Sequence, residues 1–383
     1  MTAAELIRLI PAEAFDSLSV ETKVDHQVKK LKGEAVFRLI LFSMLNSDRL
    51  SLRIMETFLR SSRFKGFSDN DILDARYNSI RDRICTIRTE YFEGLFHTVF
   101  STYNKLLKQE KGLMIADSTY VSLAAKLFQH GMTNGTGAYG LKQVKFSVAI
   151  KGGLPCHVRV HTDQAFISED LALADLIQSA GHVDEGVVLF DRGLQSRKAL
   201  GRFNADGRIF IGRCSPRTQC KTTKVVPTTI APEGCGLIVT SDLIGHLSDR
   251  HRPTTDIFRV IHCTLIGSGE PISFVTNMFD ENPYVIAELY RNRWQIEVFF
   301  RFIKQHLNFK HLVSRDLNGI KVMVYMTLIL ATLILVYKKL NNISGFKIAK
   351  LQFNLDLENS IIRDIVQLCG GDPSKAEHLW NSS

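Results

Sequence analysis

The chain has 383 residues, of which 45% are hydrophobic and 23% are charged, and a formal net charge of +9. These values are ordinary for a folded globular protein and exclude a fibrous, low-complexity or membrane class. A chain of this length can bury a sizeable core and form two or three structural units.

Residues 1–108 are predicted to form a helical N-terminal domain. Apolar residues recur at helical spacing around Leu6, over Gly33–Leu45 and over Leu52–Leu59. Between Lys23 and Lys65 there are ten basic and four acidic residues. This domain is therefore a candidate for DNA binding, although the charged face of an ordinary helical bundle would give the same pattern.

Residues 109–214 are predicted to form the first part of an α/β catalytic core. Leu113–Ala116 and Val187–Phe190 are apolar runs typical of strands, and they lead into Asp117 and Asp191. A helix from Glu169 to about Ser179 separates the strands, which implies a mixed sheet. Strand ends are common places for catalytic carboxylates, but aspartate is also an ordinary turn residue there.

The remaining segments are predicted from composition and periodicity. Prolines punctuate short β-prone runs over 215–280, which predicts a β-rich insertion. Residues 281–345 are expected to complete the core, and 346–383 to form a C-terminal helical segment. The apolar run Val322–Val336 would span roughly 22 Å as a helix, short of the roughly 30 Å of a membrane, so we interpret it as a buried helix.

A helix predicted over Pro283–Leu307 carries an unusual polar stripe. At 100° per residue, five polar side chains project within about 80° of one another, while the opposite face is apolar. They are Tyr290, Arg293, Glu297, Arg301 and Lys304. One carboxylate is thus surrounded by three cations, and an exposed helix stabilised by ion pairs at i,i+4 explains this pattern slightly better than a functional site does.

The spacing Tyr290-x2-Arg293-x3-Glu297-x6-Lys304 resembles the Tyr-Arg-Glu-Lys signature of DDE transposases of the insertion sequence four family. Ala116-Asp117-Ser118-Thr119 and Phe190-Asp191-Arg192-Gly193 are similar to that family's two aspartate motifs. The order Asp, Asp, Glu and the long β-rich interval before the glutamate also agree.

The resemblance implies a ribonuclease H-like core in which Asp117, Asp191 and Glu297 converge to bind two Mg²⁺ ions, with Mn²⁺ able to substitute. Carboxylate oxygens suit such hard cations. Tyr290, Arg293 and Lys304 would bind DNA phosphates. The helical projection adds Arg301 to them, with an ion pair to Glu297 as the alternative.

The implied function is that of a DNA transposase, which binds element ends and target DNA as a homodimer. Packing in the core or at its rim is the first interpretation of Trp294, and stacking on an unpaired base is the second. The alternatives are a metal-dependent nuclease of the same fold that does not join strands, and a DNA-binding descendant without catalysis.

The predicted location is the bacterial cytoplasm, in association with the nucleoid. The seven cysteines are scattered without metal-ligand spacing, which indicates a reduced compartment, and neither a signal peptide nor membrane attachment is expected.

Overall fold

The structure, a computed structural model, describes residues 1–68, 74–108, 112–124, 130–133, 141–181, 186–228, 230–249, 252–309 and 313–376. It divides into two compact units. The first contains Met1–Lys108 and Arg301–Ser383, and the second contains Gln109–Phe300. The helical segments predicted at the two ends of the chain thus belong to one unit, and the division falls inside the predicted segment 281–345.

Among the described residues, seven helices form the N-terminal part of the first unit. They are α1 Ala3–Arg8, α2 Ala12–Thr22, α3 Gly33–Asn46, α4 Leu52–Leu59, α5 Ser62–Ser68, α6 Tyr77–Thr86 and α7 Thr89–Leu106. Thr2 and Glu5 form a capping box at the start of α1, and Ser51 accepts a hydrogen bond from the amide of Ile54 at the start of α4.

The second unit is built on one nine-stranded mixed sheet, as the alternation of strand-like and helix-like segments predicts. Its strands are β1 Met114–Ala124, β2 Leu141–Lys151, β3 Leu154–His161, β4 Val188–Phe190, β5 Phe210–Cys214, β6 Cys220–Val225, β7 Leu237–Asp249, β8 Arg252–Leu265 and β9 Pro271–Thr276. The order across the sheet is β3-β2-β1-β4-β5-β9-β8-β7-β6. Strands β1 to β3 are antiparallel, and β4 and β5 run parallel to β1.

Two helices lie between strands of this unit. Helix α8, Glu169–Ser179, connects β3 to β4, and α9, Arg197–Ala205, connects β4 to β5. Both bury one face: Leu173 and Leu176 of α8 and Leu200 and Phe203 of α9 are fully buried. These helices are the crossovers that parallel strands require.

Strand β1 does not end at Asp117, as the apolar run before it predicted. It continues to Ala124 because β2 pairs with it along its whole length. Only the neighbour on the other side, β4, stops after Phe190. Asp117 therefore lies within β1, at the point where β4 ends and β1 keeps only β2 as a neighbour.

The predicted β-rich segment extends the same sheet, because β9 pairs with β5 in the antiparallel sense. A buried ion pair joins β7 to β8: the Arg259 guanidinium donates to both carboxylate oxygens of Asp242, at 2.9 and 2.6 Å. Arg259 also donates to the carbonyl oxygens of Met278, Phe279 and Glu281, in the turn that follows β9.

The single helix predicted over Pro283–Leu307 is wrong in one respect, because the structure has two helices there. Helix α10 spans Pro283–Arg291, and α11 spans Trp294–His306. The amides of Asn292 and Arg293 donate to the carbonyls three residues earlier, at 3.1 and 2.9 Å. These bonds separate α10 from α11, so the five polar residues do not lie on one continuous α-helix.

Helices α12, Leu317–Leu340, and α13, Phe346–Leu368, complete the first unit. Asp316 caps α12 by accepting from the amides of Asn318 and Gly319. Helix α12 is long and apolar enough to cross a membrane, but 89% of its most apolar window is buried inside the protein. This confirms the interpretation of Val322–Val336 as part of a buried core helix.

Candidate metal centre

The pairing of β1 with β4 brings Asp117 and Asp191 side by side. These strands are parallel, with Ile115 opposite Leu189. Asp117 and Asp191 each lie two residues beyond this pair, at the end of the paired part of β1 and β4. Their convergence follows from strand register, although 73 residues separate them along the chain.

Glu169 is the third carboxylate at this position. One carboxylate oxygen from each of Asp117, Glu169 and Asp191 lies within 4.8 Å of the other two. Glu169 is the first residue of α8. The sequence analysis missed it because an acidic residue in the first turn of a helix is ordinary and carries no signal of its own.

Gly193 makes room for Glu169. An ideal Cβ at Gly193 would lie 2.5 Å from Glu169 Cγ and 2.8 Å from its Oε2. The amide of Gly193 also donates a 2.7 Å hydrogen bond to Asp191 Oδ1. This glycine therefore orients one carboxylate and leaves space for another.

Two further side chains fix the segments that carry these acids. Asp170 accepts hydrogen bonds from the amides of Gln195 and Ser196, which ties the start of α8 to the turn after Asp191. Lys145 of β2 donates to the carbonyl oxygen of Ile167 at 2.7 Å. Both contacts hold Glu169 close to the sheet edge.

Glu297 reaches the centre through Arg293. The Arg293 guanidinium donates a short hydrogen bond to Glu297 Oε1, and its Nη1 lies 3.8 Å from Asp117 Oδ2. Glu297 lies outside the group of carboxylates within 4.8 Å of one another. The structure thus brings two of the three predicted acids into direct proximity and joins the third to them by an arginine.

The electrostatics of the centre are dominated by burial and by like charges. Burial, together with the charges of Asp191 and Glu169, raises the pKa of Asp117 to about 7. Burial and the charge of Asp191 also raise the pKa of Glu169. Carboxylates this close cannot all ionise without a cation to offset their charge.

Tyr290 is buried beside this centre. Its ring packs against Phe274 of β9 with centroids 5.0 Å apart, and burial raises the pKa of its hydroxyl. Asp191 raises that pKa further, while Arg293 and Arg213 of β5 lower it, so the hydroxyl lies in the field of all three. Among the described residues, this buried hydroxyl makes no hydrogen bond.

The other predicted phosphate ligands lie farther along α11. Arg301 is exposed, and Lys304 is half-buried. In the described part of the chain, Glu297 pairs with Arg293 rather than with Arg301. Trp294 is 55% exposed, so its ring does not pack in the core, which was the alternative to base stacking.

The donor set fits a divalent cation. Converging carboxylate oxygens are the ligands preferred by hard cations such as Mg²⁺ and Mn²⁺. Burial and the charges of Asp191 and Glu169 raise the pKa of Asp117 by more than Arg293 lowers it. Asp117, Asp191 and Glu169 are the residues that can hold such an ion.

Comparison with known proteins points to one family. The family model described as "Transposase DDE domain" matches residues 104–333. A probable transposase for insertion sequence element IS5377 of Geobacillus stearothermophilus is 23% identical over 259 residues, which cover 64% of this chain and 62% of that protein. The chain thus matches less than two thirds of that relative's length.

A second relative is described as a transposase for insertion sequence element IS4SA of Synechocystis sp. (strain ATCC 27184 / PCC 6803 / Kazusa). It is 26% identical over 258 residues, covering 63% of this chain and 67% of that protein. Among solved structures, the piggyBac transposase synaptic complex with hairpin DNA aligns with 95% of this chain and 82% of that chain, at a TM-score of 0.48 and 9% identity. A likeness at that level supports no inference about the site.

Proposed function

Because the chain belongs to the family of transposase DDE domains, we propose that it is a DNA transposase. It binds the two ends of an insertion sequence, cleaves the flanking strands and joins the exposed 3′-hydroxyls to a target DNA. The catalytic acids are Asp117, Asp191 and Glu297. The observation that carries this proposal is the convergence of the two aspartates at one sheet edge, with Arg293 linking Asp117 to Glu297.

The cofactor we propose is Mg²⁺, as two ions, with Mn²⁺ as a substitute. When bound, the ions stabilise the charge on the entering and leaving oxygens of an in-line phosphodiester displacement. Asp117, Asp191 and Glu297 are the residues that would hold these ions. No covalent bond between protein and DNA is required.

Phosphate binding is assigned to Tyr290, Arg293, Arg301 and Lys304. Arg293, in the turn between α10 and α11, already lies between two carboxylates, so it is placed to contact a phosphate at the same centre. Because the Tyr290 hydroxyl is buried and lacks a hydrogen-bond partner among the described residues, a phosphate oxygen would satisfy it. The exposed ring of Trp294 is available to stack on an unpaired base.

The wider assignments follow from the same function. We infer a ribonuclease H-like core for 109–214 and 281–345, supported by a mixed sheet whose β1 and β4 lead to the two aspartates. The helical residues 1–108 would bind the element ends, 215–280 would be the insertion and 346–383 a C-terminal helical segment. Two DNA ends require two copies of the chain, hence a homodimer on DNA, at the nucleoid of a bacterial cytoplasm.

A strand-transfer assay tests the proposal. The full-length protein is incubated with Mg²⁺, a supercoiled target plasmid and a linear DNA that carries the chromosomal sequences flanking the gene. We expect 3′-end cleavage and joined products, both abolished by Asp191→Asn and by EDTA.

Two outcomes would contradict the proposal. Cleavage without joined products would identify a nuclease of the same fold. Binding of the flanking DNA without either reaction would identify a DNA-binding descendant. Unchanged cleavage by Asp191→Asn would remove that residue from the site.

A further inference from the structure

We propose that Glu169 is a fourth carboxylate of the metal centre and binds the cation that Asp117 and Asp191 share. This inference rests on the proposed function, because it adds a ligand to that same site. The DDE signature does not include this residue. The sequence between the two aspartate motifs offers no marker for it, and only the fold shows its position.

The geometry favours ligation over a chance approach of charges. One oxygen from each of the three carboxylates lies within 4.8 Å of the other two. A cation at their centre would then contact all three without a change of backbone, since metal–oxygen distances of about 2.0 to 2.6 Å span such a gap.

An acidic residue at the start of α8 has an ordinary alternative role, which is to stabilise the helix N-terminus. That role is already filled by Asp170, which lies in the same first turn. An exposed acidic side chain would stabilise the helix N-terminus equally well. Glu169 is instead placed against two other carboxylates, with one of its oxygens within 4.8 Å of an oxygen of each. A cation between the three groups would offset their mutual repulsion, whereas the helix terminus does not require that placement.

The turn after Asp191 accommodates Glu169 specifically. A side chain at Gly193 would overlap the Glu169 carboxylate, with a Cβ 2.6 Å from its Cδ. Asp170 holds the same turn through the amides of Gln195 and Ser196. The two segments are thus fitted to each other around the Glu169 side chain.

A second observation at the same place points to an absent ligand. The Tyr290 hydroxyl is buried, with 7% of the residue exposed, and it makes no hydrogen bond to the described residues. The Arg293 guanidinium lies close to the hydroxyl without forming a hydrogen bond of ordinary geometry, and the Asp191 carboxylate lies near it as well. A buried hydroxyl without a hydrogen-bond partner lowers the stability of the folded state. The site therefore has room for a further oxygen atom that would hydrogen-bond to this hydroxyl, from a metal-bound water or from a phosphate.

The test measures metal binding by the full-length protein without DNA. Mn²⁺ is titrated into metal-free protein, and the free ion is followed by its electron paramagnetic resonance signal. We expect Glu169→Gln to weaken Mn²⁺ binding by at least about tenfold. The matched control is Glu270→Gln, at an exposed carboxylate in the turn between β8 and β9, and we expect wild-type affinity for it.

A change of metal preference separates a ligand from a residue that acts only through charge. A thiolate favours the soft Cd²⁺ over Mn²⁺. We therefore expect Glu169→Cys to release its bound Mn²⁺ at a Cd²⁺ concentration at least about tenfold lower than the wild type requires. The control Glu270→Cys should require the same Cd²⁺ concentration as the wild type. Because the displaced Mn²⁺ is measured, Cd²⁺ bound at other thiols does not give this signal.

The outcomes distinguish this inference from the function on which it rests. If Asp191→Asn loses Mn²⁺ binding while Glu169→Gln binds it as the wild type does, Glu169 is not a ligand and the transposase proposal stands. If Asp191→Asn also binds as the wild type does, the metal centre itself is wrong. Should Glu169→Gln fold poorly, as judged by its melting temperature, the Cd²⁺ displacement from Glu169→Cys decides, and an unchanged preference overturns the inference.

Discussion

Among the carboxylates of the metal centre, Asp117 is the one whose ionised form is most disfavoured by its surroundings. Its side chain is 14% exposed, and Asp191 and Glu169 face it. Its main compensating contacts are the amide of Ser118, which donates to Oδ1 at 2.7 Å, and the Arg293 guanidinium. These contacts lower the pKa of Asp117 less than burial and the two carboxylates raise it. The metal-free protein therefore bears a cost at this residue.

That cost predicts a specific dependence of stability on pH. In the unfolded chain an aspartate ionises near 3.8, whereas folded Asp117 holds its proton to about 7. The folded state thus binds more protons between these values, so its stability falls as pH rises through that range. In EDTA, we expect Asp117→Asn to melt a few degrees above wild type at pH 8 and to differ less at pH 5.

Thermal unfolding at the two pH values provides the measurement. Glu270→Gln, which removes an exposed carboxylate, should show the wild-type pH dependence. Addition of Mg²⁺ should raise the melting temperature of the wild type and not that of Asp117→Asn. A variant that melts below wild type at pH 8 would show that Asp117 stabilises the metal-free fold.

The residues of the site were unequally predictable from sequence. Asp117, Asp191 and Glu297 were found through their resemblance to family motifs, since each residue alone has an ordinary structural explanation. Glu169 and Arg213 were not found, because their approach to the centre depends on how α8 packs against the sheet and on the position of β5 within the sheet. For Trp294 the helical projection left base stacking and packing in the core or at its rim open, and the residue is 55% exposed.

Arg259 joins the β7–β8 hairpin to the segment that leads into α10. Its guanidinium is 1% exposed and makes five hydrogen bonds, two to Asp242 and three to the carbonyls of residues 278–281. Those carbonyls belong to the turn that leads into α10. One buried side chain thus ties the β7–β8 hairpin to the segment that carries Tyr290 and Arg293.

Removal of this side chain should be costly. Arg259→Met leaves Asp242 buried without its partner and leaves three carbonyl groups without their donor, so we expect a loss of about 3 to 5 kcal/mol in the free energy of unfolding. The double variant Arg259→Met with Asp242→Leu should recover part of it, because no charge is then left unpaired. Chemical denaturation measures both, and equal destabilisation by the two variants would contradict the role of the ion pair.

Regular elements were predicted well where local signals are strong. Helix α4 and helix α8 have the predicted boundaries, because a capping serine precedes α4 and apolar residues recur in both at helical spacing. The break after Arg291 was missed because the periodicity of the sequence continues through it. The continuation of β1 beyond Asp117 was also missed, since it depends on pairing with β2, which periodicity cannot show.

At the scale of the whole molecule, charge is distributed unevenly along the chain. Residues 290–350 contain eleven Lys or Arg residues and two acids, Glu297 and Asp316. Both acids have structural assignments: Glu297 pairs with Arg293, and Asp316 caps α12. Eleven basic residues against two acids leave this segment with a net positive charge, which favours binding to a polyanion.

The contribution of α11 to DNA binding can be measured through its salt dependence. Each phosphate contact by a lysine or arginine contributes about 0.9 to the slope of the logarithm of affinity against the logarithm of salt concentration. We expect the double variant Arg301→Gln with Lys304→Gln to reduce that slope by about 2 and to weaken binding similarly for all DNA sequences. Fluorescence anisotropy between low and physiological salt gives the slope. Lys375→Gln, at an exposed lysine near the end of the described chain, should retain the wild-type value. If the double variant keeps the wild-type slope, these two residues do not contact phosphate, and the DNA path must be sought on another face.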